Sequence, residues 1–219
     1  MQTRIPNRTA AGKELALALQ HYRNQENVIV LGLPRGGVPV AFEVAQLLNA
    51  PLDLMLVRKL GAPHFPELAM GAIASGDIKV LNTQVIRSYA IRQEQINEVE
   101  QKERKELNRR AEAYRGQRPY PDLTEKIVIL VDDGLATGAT MHAAIDAVSL
   151  QKPKSIVVAI PVAPPESINE LRQKVNEVIC PMQPTQLTSI GQWYEDFCQV
   201  SDEEVTELLS LLWYKHKDD

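Results

Sequence analysis

Cysteine is nearly missing from this chain of 219 residues, which has only Cys180 and Cys198. Two thiols are too few for a secreted disulfide scaffold and lack the spacing of a zinc site, so each is read as a small core or surface residue. Long apolar runs are missing as well. Nothing approaches the roughly 18 consecutive apolar residues of a membrane span, and the stretch Met1 to Arg8 lacks the apolar segment of a leader. A cytoplasmic protein with no membrane partner is expected. Charge of one sign is not in excess either: 24 Lys and Arg face 28 Asp and Glu, for a formal net charge of −4. The basic residues are scattered or interleaved with Glu, which excludes a broad nucleic-acid-binding face and leaves room for a local anion pocket. Aromatic residues make up only 5% of the chain, so a local concentration of them is informative.

What is present reads as one α/β domain spanning 1–219. Four Val/Ile/Leu runs precede Gly- or Pro-marked turns: Val28 to Leu31, Leu52 to Val57, Ile127 to Val131 and Ile156 to Val162. Continuous apolar runs, unlike alternating ones, suit strands covered on both faces of a parallel sheet. Helical stretches follow the first and third, at Val38 to Leu48 and Thr140 to Leu150, giving the rhythm of a doubly wound domain. In such sheets ligands collect at the carboxyl ends of the strands.

A charged stretch from about Thr83 to Gly116 reads as a solvated helix. Its pairs at helical spacing, Glu98 with Lys102, Glu100 with Arg104 and Glu106 with Arg110, each add about 0.2–0.5 kcal/mol. A thin stripe of Ile96, Val99, Leu107, Ala111 and Tyr114 lays one face on the body. Arg118 to Asp122, with two prolines, breaks it before the third strand.

The third strand runs straight into Asp132-Asp133-Gly134-Leu135-Ala136-Thr137-Gly138-Ala139-Thr140. Here two carboxylates stand beside an anion cradle, because the N–H groups of Thr137 to Thr140 face outward at a helix start and Gly138 permits close approach. Carboxylates aimed at a phosphate would repel it; beside it, they can accept from hydroxyls or hold Mg²⁺. A sugar phosphate satisfies both halves. The same residues also suit a plain turn with an N-cap, the glycines merely shaping the loop. Other nucleotide loops fit less well. Position 139 is Ala where a Walker loop needs Lys, and Gly32 to Gly37 misses the dinucleotide spacing.

Val128 to Thr140 resembles the signature with which type I phosphoribosyltransferases bind 5-phosphoribosyl 1-diphosphate (PRPP), and the chain is similar to an uncharacterised bacterial branch of that family. The resemblance implies the family's fold: a central, mostly parallel sheet flanked by helices, with a core at about 28–161, a helical insertion at about 83–118 and a hood at about 162–219. It implies that Asp132 and Asp133 take the ribose hydroxyls, contacting Mg²⁺ only through ribose or water, and that Ala136, Thr137, Gly138, Ala139 and Thr140 cradle the 5-phosphate. Leu33-Pro34-Arg35-Gly36-Gly37 resembles the pyrophosphate loop, with Arg35, Gly36 and Gly37 as its ligands. Relatives often carry a non-proline cis peptide there, which alignment places between Pro34 and Arg35. Val57 to Glu67 has the position of the family's mobile catalytic loop, and Gly61, Pro63 and Pro66 favour a loop over a helix.

In that loop the resemblance assigns catalysis to Arg58 and Lys59, with Glu67 as acid or base and His64 as its alternative. Members acting on 6-oxopurines carry Asp where this chain has Ala136. The aromatic segment Ile190 to Phe197 either forms a small satellite core or offers stacking faces. On the resemblance it belongs to the hood, so Trp193 and Tyr194, with Leu135, take the base. The implied reaction transfers the 5-phosphoribosyl group from PRPP to a nitrogenous base, in a homodimer. A non-catalytic PRPP or nucleotide sensor and a sugar phosphohydrolase are the alternatives.

Overall fold

The computed structural model describes residues 4–215, so the ends of the expected domain, 1–3 and 216–219, lie outside the described residues. The chain begins with helix α1 (Arg8–Ala18), strand β1 (Val28–Gly32), helix α2 (Gly37–Leu48) and strand β2 (Leu52–Leu54). Next come strands β3 (Val57–Ala62), β4 (Phe65–Ala74) and β5 (Ile78–Leu81), then helices α3 (Thr83–Ser88) and α4 (Gln93–Arg115). The second half alternates: β6 (Ile127–Val131), α5 (Ala139–Ser149), β7 (Ser155–Ala159), α6 (Pro165–Arg172) and β8 (Glu177–Ile179), closing with α7 (Asp202–Lys215).

Five strands form a parallel sheet in the order β2-β1-β6-β7-β8. Every residue of β1 and β6 is buried, and the strand pleat sorts them between two cores. Val28, Val30, Ile127, Ile129 and Val131 join α1, α2, α4 and α7 on one face. Ile29, Leu31, Val128 and Leu130 meet α5 and α6 on the other. Each fully buried aliphatic side chain contributes about 1.5–3 kcal/mol, and a strand covered on both faces has no reason to alternate polar with apolar. Among the described residues, no helix is long and apolar enough to cross a membrane.

Three expectations about the sheets need correction. The apolar run from Leu52 to Val57 is not one strand: β2 ends at Leu54, and after Met55 and Leu56 the chain leaves for an antiparallel sheet, β3-β4-β5. The expected catalytic loop is therefore a β-hairpin. Gly61 marks a bulge in its pairing, and His64, at φ 66°, sits in its turn. Leu60, Ala62 and Met70 anchor the hairpin in the first core, so it does not pack lightly. Finally, the sheet does not stop near residue 161, because α6 carries the chain across to β8 inside the stretch expected to be hood.

The charged insertion is two helices, divided where Ala90 turns at φ 48°, and α4 starts where the Gln95 side chain reaches back to accept the Arg92 N–H at 3.0 Å. Ile96, Leu107 and Tyr114 are buried as the stripe requires. Glu100–Arg104 and Glu106–Arg110 pair at 2.9 Å and 2.8 Å. Glu98 and Lys102 form no ion pair among the described residues; Lys102 faces a cleft instead.

Candidate functional site

β1 and β6 are neighbours in register, with Gly32 opposite Val131, so the two loops that follow them leave the sheet side by side. Leu33 N–H donates to the Val131 carbonyl at 2.9 Å, and Gly37 N–H closes the first loop onto the Leu33 carbonyl at 3.0 Å. The Pro34–Arg35 peptide is cis, as expected from the resemblance. A Cβ on Gly36 would overlap Asp133 Oδ2, and one on Gly37 would lie 2.7 Å from the Val131 carbonyl oxygen. Any side chain at either position would push the loops apart.

The acidic pair is asymmetric. Asp132 Oδ1 accepts the N–H of Asp133 at 2.8 Å. Asp133 Oδ2 is bound twice by Arg8, from Nε at 2.9 Å and Nη2 at 2.8 Å, and the Asp133 carbonyl accepts the Tyr194 hydroxyl at 2.7 Å. Apart from the contact between the two carboxyls themselves, no donor reaches Asp132 Oδ2 or Asp133 Oδ1 among the described residues, which leaves an oxygen of each open to a ligand. Asp132 is only half-buried by surface exposure but is closely surrounded by protein. Burial, then the charge of Asp133, pushes its carboxyl well above the usual range. Burial likewise raises the Tyr194 phenol, keeping it a hydrogen-bond donor.

Beyond the pair the chain turns into α5 through Gly138, whose φ of 72° is left-handed. The first backbone bond of this helix runs from His142 N–H to the Gly138 carbonyl at 2.8 Å. Among the described residues, the N–H groups of Thr137 to Met141 donate to nothing, and no side chain caps the helix. Ala136, Thr137, Ala139 and Thr140 are exposed and Gly138 is buried. A row of unbound donors at the start of an 11-residue helix is an arrangement able to accept an anion.

The hairpin stands across a cleft of about 530 Å³, lined among others by Arg58, Lys59, His64, Glu103 and Thr140. Its charges already have partners: Arg58 donates to Glu103 Oε2 of α4 from Nε at 2.8 Å and Nη2 at 2.5 Å. Lys59 Nζ lies 3.4 Å from Glu67 Oε2, and the Glu67 side chain is fully exposed. Arg35, half-exposed, lies 3.7 Å from Asp202 at the start of α7.

The base-side expectation is not met as a stacking platform. Leu135, Trp193 and Tyr194 are 3%, 8% and 2% exposed, and the two aromatics pack with Ile5, Ala11 and Val162 in a third, small core. With few large apolar residues available locally, these rings are needed to close that core, and Tyr194 serves the site through its hydroxyl. The aromatic density at 190–197 signalled this segment, whereas Arg8 had no signal, since it meets Asp133 from 125 positions away. A slightly larger cavity, about 600 Å³, lies at the β2 edge beside Asp53, Arg115, Tyr120 and Trp213. Arg115 there is paired with Asp53, and Tyr120 and Trp213 donate to the Leu54 and Leu52 carbonyls, so those groups cap a sheet edge.

No group of three or more His, Cys, Asp or Glu able to hold a metal occurs among the described residues. The two unbound carboxylate oxygens are hard donors that suit Mg²⁺, but only together with oxygens from a ligand or water.

The chain is similar to known proteins over most of its length. A family profile described as "Phosphoribosyl transferase domain" matches residues 3–191. Two curated Mycobacterium tuberculosis proteins, "Putative phosphoribosyl transferase Rv0571c" of strain H37Rv and "Putative phosphoribosyl transferase MT0597" of strain CDC 1551, are each 44% identical over 203 residues. The match covers 93% of this chain and 46% of each of theirs, so the chain spans about half the length of these relatives. The crystal structure of TT1426 from Thermus thermophilus is 42% identical and superposes with a TM-score of 0.86 over 97% of this chain and 99% of that one.

Proposed function

This chain belongs to the phosphoribosyl transferase family, and from that premise we propose that it transfers the 5-phosphoribosyl group of PRPP to a nitrogenous base with release of pyrophosphate. One observation carries the reading. At a single sheet end, two carboxylates with one unbound oxygen each stand between a helix start with unbound N–H groups and a basic loop pressed against the pair.

In this reading the ribose 2′- and 3′-hydroxyls donate to Asp132 and Asp133. The 5-phosphate accepts from the N–H groups and Thr hydroxyls between Ala136 and Thr140. Pyrophosphate lies against Arg35, Gly36 and Gly37, where Arg35 exchanges Asp202 for the anion. The bond from C1 to the pyrophosphate oxygen breaks with its electron pair leaving on oxygen, a ring nitrogen bonds to C1, and the nitrogen's proton passes to a base or to water. Holding sugar and leaving group in place supplies most of what such a step needs. Mg²⁺, held through the ribose or water at Asp132 and Asp133, would neutralise pyrophosphate charge when bound.

Arg58 and Lys59 serve the leaving group by giving up Glu103 and Glu67, and Glu67, free in solvent at the hairpin, is the candidate acid or base. The base would sit beside the segment that Tyr194 ties to Asp133, with Leu135 and Trp193 behind it. A cytoplasmic location and a homodimer belong to the same reading. A PRPP sensor without turnover is favoured by one observation, that Ala136 leaves the phosphate loop without an acid or base.

The test is incubation with PRPP, Mg²⁺ and a panel of purines, pyrimidines and nicotinic acid. Pyrophosphate release that depends on one base supports the transferase. Binding without release would establish the sensor, and phosphate release without any base the phosphohydrolase; either result overturns the proposal.

A further inference from the structure

Asp133 is held from outside the loop that carries it. Arg8 Nε and Nη2 both go to one oxygen, Oδ2, while Nη1 donates to the Cys198 carbonyl at 2.7 Å. The guanidinium carbon lies 4.0 Å from the centre of the Phe197 ring, a cation–π contact. The Arg8 and Asp133 side chains are 12% and 15% exposed, so water competes little for the pair.

Arg8 is itself fixed at both ends. It opens α1, which Asn7 caps by accepting the Ala10 N–H at 2.9 Å. The residues before it are bound to the aromatic segment: Ile5 N–H to the Trp193 carbonyl at 2.8 Å, Glu195 N–H to the Ile5 carbonyl at 2.8 Å and Asp196 N–H to the Pro6 carbonyl at 3.0 Å. The amino-terminal strap thus joins the hood, and the guanidinium points from it to the acidic pair.

We infer that Arg8 is a positioning residue for ribose recognition: by taking Asp133 Oδ2 on a fixed guanidinium, it turns Oδ1 toward the ligand hydroxyl. This rests on the phosphoribosyl reading above. A carboxylate on a loop rotates about its last torsion, and a hydroxyl that meets a rotating acceptor must pay for the ordering itself. A simple fold staple between α1 and the hood would affect every ligand alike. Positioning affects only the ligand that carries a ribose.

Isothermal titration of wild type, Arg8→Ala and Arg8→Lys with PRPP and with inorganic pyrophosphate, all with Mg²⁺, separates the two roles. In Arg8→Ala, PRPP affinity is expected to fall roughly ten- to a hundredfold, the range for one charged hydrogen bond, with pyrophosphate affinity unchanged. Arg8→Lys keeps the charge without the planar fork and should fall between. Equal losses for both ligands, or no loss for PRPP, would overturn the inference. Should Arg8→Ala fail to fold, Phe197→Leu removes the ring under the guanidinium, and the same PRPP-selective loss, smaller in size, is expected; its absence counts against positioning. A wild type that binds pyrophosphate but not PRPP would instead sink the phosphoribosyl reading itself.

Discussion

The carboxyl end of the parallel sheet and the β3–β4 hairpin both face the candidate cleft, but they are built in opposite ways. At the sheet end, a Cβ added to Gly36 would strike Asp133, and Arg8 and Tyr194 reach Asp133 from the two termini of the chain. Backbone approach fixes the geometry there. On the hairpin, Leu60 and Met70 point into the core while Lys59 and Glu67 stand in solvent, and Arg58 is engaged by Glu103. Its charges are held by exchangeable partners. On the proposed reading, the ribose, the 5-phosphate and the Arg35 loop that meets pyrophosphate belong to the rigid sheet end, and the further leaving-group contacts of Arg58 and Lys59 belong to charges that can change partners.

The sharpest way to break this contrast is to remove the acidic pair. In Asp132→Asn with Asp133→Asn, two charged hydrogen bonds worth about 1.5–3 kcal/mol each are lost, so PRPP affinity should fall by roughly 10² to 10⁴ while the circular dichroism spectrum stays native. Normal binding by a folded double variant would remove the ribose assignment. Next in size is Gly138→Val. A side chain at φ 72° costs about 1–2 kcal/mol of stability, and its Cβ would crowd Leu135 and His142 at 3.1 Å and 3.3 Å. A lower urea midpoint together with weakened PRPP binding is expected, and an unchanged affinity would move the 5-phosphate elsewhere.

On the hairpin, Arg58→Ala should cost only about 0–1 kcal/mol of stability and leave PRPP affinity nearly intact while lowering the rate of pyrophosphate release. A loss of binding as large as that of the acidic-pair variant would erase the distinction between the two regions.

The smallest effect concerns pH. Because the Asp132 carboxyl is raised above its unfolded value of about 3.9, the folded state holds its proton more tightly. Its contribution to stability is fully present below the unfolded value and is lost as pH rises through the folded one. In Mg²⁺-free urea melts, Asp132→Asn should therefore gain on wild type as pH is raised from acid to neutral. A difference that stays constant with pH would mean Asp132 is not strained by burial and by its neighbour.

The same contrast explains what could be read before folding. β1, β6 and β7 were legible because strands covered on both faces leave unbroken Val/Ile/Leu runs, and the loop after β6 was legible because acid pair, glycine and threonines are contiguous. β2 and β3 merged because Met55 and Leu56 carry the apolar run across a change of sheet. The hairpin looked like coil because Gly61, Pro63 and Pro66 are turn and bulge residues crowded into a short span. β8, with three residues, was too short to show a pattern. The Trp193 and Tyr194 rings were identified as a cluster, but whether a ring faces a ligand or a core is decided by Ile5 and Val162, far off in the chain. Arg8 depends on that same long-range closure.

The most direct measurement is a crystal structure of the protein with PRPP and Mg²⁺. Ribose hydroxyls within hydrogen-bond distance of Asp132 Oδ2 and Asp133 Oδ1, with the 5-phosphate on the N–H groups of Thr137 to Met141 and Arg8 still on Oδ2, is the predicted result. PRPP lodged elsewhere, such as the cavity beside Arg115 and Trp213, with both carboxylate oxygens left in water, would contradict it.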